Sequence, residues 1–150
     1  MSSARIQKIF LVLVAVMVVG LVLAGLVFVK AFQVWQLAIR FGNETATVQN
    51  IKTIAVVELQ YFYGHRRTFG TFEQLMKEQL LSSKFSGNPV STDGYVFTLT
   101  VASEASTFTL NADPANAQTG KKHFYLDSVS RELHVNSEKP AGPNDPILKE

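Results

Sequence analysis

From Ile9 to Val29 the chain reads IFLVLVAVMVVGLVLAGLVFV, 21 residues without a charge or a proline. At a rise of about 1.5 Å per residue, a helix of this length crosses about 30 Å, the thickness of a bilayer core. A segment in lipid must satisfy its own backbone hydrogen bonds, and a helix does so. A core helix of a water-soluble protein keeps at least one polar face, and this run has none. The run therefore reads as a membrane span. Two other readings are a cleavable signal peptide and a helix buried in an oligomer. For the first, Arg5 and Lys8 form a basic leader and Val22-Leu23-Ala24 offers small residues for cleavage. Against it, the apolar run continues five residues past Ala24.

This run explains why 47% of residues are apolar and only 17% charged. Cysteine is absent, which excludes disulfides, thiolate zinc sites, a cysteine nucleophile and a cysteine-linked lipid. A net charge of +2 does not argue for nucleic acid. The expected organisation is a short cytoplasmic terminus (1–8), a span (9–29), a folded body (30–135) and an extended tail (136–150). The expected anchor comprises Ile9, Phe10, Leu11, Val16, Gly20, Ala24 and Val29, with Trp35 as an aromatic belt residue. Gly20 and Ala24 form a small helix-packing pair. Arg5 and Lys8 favour a cytoplasmic N-terminus.

No proline interrupts the chain between Lys30 and Tyr63. Val48, Ile51, Ala55, Leu59 and Phe62 fall on one helical stripe, so the span is expected to run into an amphipathic helix reaching Phe62. Gly64 to Phe72 breaks that pattern. Thr71 is expected to cap a short helix, TFEQLMKEQLLSS, whose Phe72, Leu75, Met76 and Leu80 share a face and which Gly87-Asn88-Pro89 ends. The period then changes to two. Strands are expected over 95–101, 107–112, 123–127 and 132–135, in an antiparallel meander. The fold class is α+β: a long N-terminal helix on a four-stranded antiparallel sheet, the stripe packing against it.

Local motifs point the same way. Asn43-Glu44-Thr45-Ala46, Ile51-Lys52-Thr53-Ile54 and Glu58-Leu59-Gln60-Tyr61 resemble segments of one group of bacterial type IV pilins and pseudopilins. So do Phe69-Gly70-Thr71-Phe72, Gly94-Tyr95-Val96-Phe97, Ala112-Asp113-Pro114, Gly120 and Phe124-Tyr125-Leu126-Asp127. The resemblance covers about residues 43 to 135. It implies a non-enzymatic, single-pass protein of the bacterial inner membrane, its C-terminal body periplasmic or in an extracellular filament. Such a protein acts by protein–protein contact as a structural or accessory subunit of a type IV pilus or type II secretion-like assembly. The implied partners are membrane lipid, other pilin-like subunits, assembly-platform proteins or further copies of the chain. The N-terminus departs from the family. Counting back from Asn43 places the usual cleavage junction near Leu11-Val12 and Val16 where a glutamate is usual, and no acidic residue precedes Glu44. An uncleaved anchor is therefore expected.

Chemistry-bearing motifs are few. No metalloprotease, nucleophile-elbow, phosphate-loop or calcium-loop pattern occurs, so neither an enzyme nor a cofactor is expected. His123, Asp127 and His134 would meet at a metal only if strands three and four pair suitably. Arg66, Arg67, Lys121 and Lys122 are candidate anion or DNA contacts, with Tyr61, Tyr63 and Phe69 near the first pair. They define the alternative function, a membrane-anchored periplasmic binding module. Residues 44 to 150 hold 10 basic and 12 acidic side chains, so DNA is not the expected partner.

Overall fold

A computed structural model describes residues 3–149. The chain divides into two units, residues 1–38 and 39–150. Helix α1, Ser3–Gly64, is the longest element and contributes to both. In the first unit it is long and apolar enough to cross a membrane, its most apolar window averaging a mean hydropathy of 3.1 with nothing buried. The large apolar side chains from Ile9 to Leu37 are exposed. No side chain of this unit is fully covered among the described residues.

In the second unit, α1 is followed by α2 (Phe72–Lys77), a 3₁₀ turn (Ser83–Phe85) and five strands. These are β1 (Val90–Thr92), β2 (Tyr95–Val101), β3 (Phe108–Pro114), β4 (His123–Asp127) and β5 (His134–Asn136). They form one antiparallel sheet in sequential order, the expected meander with five strands instead of four. The additional strand is β1. Asp93 and Gly94, both at positive φ, make a two-residue hairpin that pairs Thr92 with Tyr95 and Val90 with Phe97.

The core joins Ile51 and Ile54 of α1 to Leu75, Phe85, Tyr95, Phe97, Leu110 and Phe124. The covered face of α1 lies to one side of the expected stripe. Thr47, Ile51, Ile54, Glu58 and Tyr61 are buried, whereas Val48, Ala55, Leu59 and Phe62 are half-buried. Of the expected stripe Ile51 is fully buried, and Val48, Ala55 and Phe62 pack partly buried against the core. The covered face includes the polar residues Thr47, Asn50 and Glu58. Asn50 is buried and donates to Asp93 Oδ2 at 2.7 Å while accepting from Lys84 Nζ at 2.7 Å. A buried polar side chain with satisfied hydrogen bonds is tolerated where an apolar pattern would not place it.

Helix α2 carries a capping box: Thr71 Oγ1 accepts from the Gln74 N–H, and Gln74 Oε1 accepts from the Thr71 N–H. It ends at Lys77, not Ser83, because Gln79 takes φ +59° and the N–H groups of Leu80 and Leu81 both return to Leu75 O. β3 extends beyond its expected end to Pro114, and β5 begins at His134 after Arg131 takes φ +58°. The tail lies along the sheet. Pro146 O accepts from the Val135 N–H, Leu148 N–H donates to Leu133 O, and Asn111 Nδ2 holds Ala141 O. The outer edge of β5 is thereby covered, which removes a template for edge-to-edge pairing.

Candidate functional site

Asn43, Glu44, Gly94, Tyr95 and Gly120 of the motifs meet where the amphipathic part of α1 begins. Asn43 Nδ2 donates to Thr119 O at 2.8 Å. Glu44 Oε1 accepts from the Lys121 and Lys122 N–H groups at 3.1 and 3.4 Å, and Oε2 lies 3.3 Å from Lys122 Nζ. Gly94 and Gly120 make this approach feasible. A Cβ on Gly94 would stand 2.6 Å from Asn43 Nδ2, and one on Gly120 would overlap the Tyr95 hydroxyl. That hydroxyl donates to Lys122 O at 2.8 Å, and burial, with Glu44 and Asp113 nearby, pushes its pKa up. The cluster is a clamp that ties the β3–β4 loop and the β1–β2 turn to α1. Gly120→Ala is expected to destabilise the body by about 1–3 kcal/mol through overpacking against Tyr95. Thermal melting of the full chain in detergent checks it.

A second clasp lies toward the end of α1. Glu58 is fully buried, and its Oε2 accepts from the Gly70 N–H at 2.9 Å while Oε1 has no protein partner. Burial raises its pKa to about 7 despite the opposing Gly70 hydrogen bond. The segment it holds is also fixed by Phe69, whose N–H donates to Ala105 O and whose ring packs on Phe62 and Phe108.

The candidate basic residues are not brought together. Arg66 and Arg67 follow the end of α1, exposed and at positive φ, with the Arg67 N–H closing on Phe62 O as a helix cap. Lys121 and Lys122 lie beside Glu44, about 30 Å away along the helix. Lys122 is already paired with Glu44. His65 stacks on Tyr61 and lies 3.8 Å from Glu78.

The three residues considered for a metal are separately committed. His123 Nδ1 is 2.5 Å from Asp113 Oδ1, and His134 Nδ1 hydrogen-bonds Asp145 O at 2.7 Å. Asp127 accepts from the Val129 and Ser130 N–H groups and from Ser130 Oγ. Burial alone would raise the Asp127 pKa; these bonds bring it below the ordinary value. Among the described residues no group of three metal-binding side chains is assembled.

The anchor residues are all on the surface. Ile9, Phe10, Leu11, Val16, Val29 and Trp35 are each more than half exposed, Ala24 is exposed, and Gly20 has open space around it. Sequence reasoning assigned no role to Asn50 and named Glu58 only within the Glu58-Leu59-Gln60-Tyr61 motif, not as a buried acceptor. No protein-family model, curated protein or solved structure matches the chain.

Proposed function

We propose that the protein is a non-enzymatic, single-pass membrane protein with a pilin-like body. It serves as a structural or accessory subunit of a type IV pilus or type II secretion-like assembly, held in the bacterial inner membrane and acting through protein contacts. One observation carries this reading. A single helix supplies both an exposed apolar stretch through Leu37 and the buried wall of an antiparallel meander, from Thr47 to Tyr61. The first part has no use in water, where exposing so many large apolar side chains marks a contact surface. The second part has the register a helix needs to hold a small sheet. The Asn43–Glu44 clamp supports the same reading, because two of the residues that carry the pilin resemblance fasten the β3–β4 loop to the helix.

The test is photo-crosslinking in native membranes from positions Val34 and Leu37 of the full chain. Adducts with other helix-bearing membrane proteins or with further copies support an assembly subunit. Adducts with lipid alone contradict it.

A further inference from the structure

The turn between β4 and β5 presents an apolar tip beside an apolar notch. Val129 is 79% exposed, the largest exposure of any large apolar side chain in the chain's described part. It is not on a loose loop. Asp127 Oδ1 accepts from the Val129 N–H at 2.8 Å and the Ser130 N–H at 2.7 Å, and Oδ2 accepts from Ser130 Oγ at 3.1 Å. Such an aspartate-centred turn presents its apolar tip in one conformation, which lowers the ordering cost of a contact. Beside it opens a notch of about 60 Å³ walled by Ala55, Leu59, Phe108 and Leu126, with Ser128 and Arg131 at its rim. At the roughly 30 Å³ that one water occupies in the liquid, the notch admits about two water-sized groups, room for the two methyl tips of a valine side chain. Arg131 and Glu132 are both exposed, and neither side chain has an ion-pair partner among the described residues.

We propose that this face is an isologous contact between two copies of the chain. Val129 of each copy fills the other's notch, and Arg131 of each meets Glu132 of the other. The arrangement is self-complementary, as a two-fold contact requires: knob and hole, cation and anion, all lie on one turn and its immediate seam. Charge complementarity selects a second copy as occupant, because one chain carries both halves of both pairs. The contact is small beside the roughly 1,200–2,000 Å² of a stable interface. It therefore rests on the anchoring proposed above, since confinement in a membrane raises the effective concentration of one body near another.

The chain lacks cysteine, so introduced thiols report alone. The full chain carrying Val129→Cys and Ala55→Cys is reconstituted in lipid vesicles, oxidised and run on a non-reducing gel, with alkaline extraction as a parallel check of anchoring. A disulfide-linked dimer is expected. Arg131→Glu in that background should lower its yield about fivefold or more, as two symmetry-related attractions become repulsions. Adding Glu132→Arg should restore it. Three results overturn the proposal while leaving the anchor reading intact: no dimer from a chain that stays in the membrane; a yield indifferent to Arg131→Glu; or equal dimer from Ala55→Cys paired with Ser106→Cys, which reports random collision. No dimer from a chain that alkali releases contradicts both.

Discussion

Ile51→Asp is expected to unfold the body of the protein and to leave its apolar helix in the membrane fraction. Ile51 has no exposed surface and lies where α1 meets the sheet. An aspartate there loses the transfer free energy of a buried isoleucine and places a carboxylate among apolar groups without a partner. The combined cost exceeds about 4 kcal/mol, a large part of the stability of a domain this size. Near-ultraviolet circular dichroism and limited proteolysis of the full chain in detergent read the body. Alkaline extraction of membranes reads the anchor. Loss of native dichroism with the protein still in the pellet is expected. A body that melts as the unsubstituted chain does would show that α1 is not the wall of this core.

The second large effect is a pH dependence. Glu58 titrates near pH 7 in the folded chain against an ordinary value of 4.5. A carboxyl whose folded pKa is raised binds its proton more tightly folded than unfolded. Its contribution is therefore most favourable below about pH 4.5, declines as pH rises to about 7, and is constant above that. A shift of this size corresponds to about 3 kcal/mol. Glu58→Gln keeps an acceptor for the Gly70 N–H and cannot ionise. At pH 8 the variant should be about 2 kcal/mol more stable than the unsubstituted chain, and the advantage should vanish between about pH 5 and 6 and reverse below that. Denaturant melts at several pH values between 4.5 and 8 decide it. Two curves that stay parallel throughout would mean that Glu58 is ionised and well solvated in the folded state.

These two residues also mark what the sequence disclosed. Ile51 was legible because period-3.6 spacing on α1 and period-2 spacing in β2 and β3 both follow from one-sided burial. The α+β class, the long helix, the antiparallel meander and the Thr71 cap came from the same local signals. Glu58 was not legible. Its acceptor role depends on a backbone N–H 12 residues away, brought back by the turn after α1, and no local pattern encodes that return. The same non-locality hid the burial of Asn50, which is held by Asp93 and Lys84. β1 is a different case. Asp93-Gly94 is a strong hairpin signal, but only three residues precede it in the strand, too few to show alternation. The tail's pairing with β5 was hidden by Pro140, Pro143 and Pro146. Proline cannot donate to a ladder, but the Pro146 carbonyl accepts. At the candidate site, Gly94 and Gly120 were visible as motif residues. The reason for them, close approach to Asn43 and Tyr95, was visible only in three dimensions.

The central claim is that the stretch from Ile9 to Val29 lies in lipid while the body from Ile39 onward is in water. Single cysteines at Val18 and Ser106 of the full chain, labelled with a membrane-impermeant maleimide in permeabilised but undissolved membranes, test it most directly. Labelling at Ser106, none at Val18 until detergent is added, and retention of the chain after alkaline extraction are the predicted results. Equal labelling at both positions, in a chain that stays monodisperse without detergent, would contradict it.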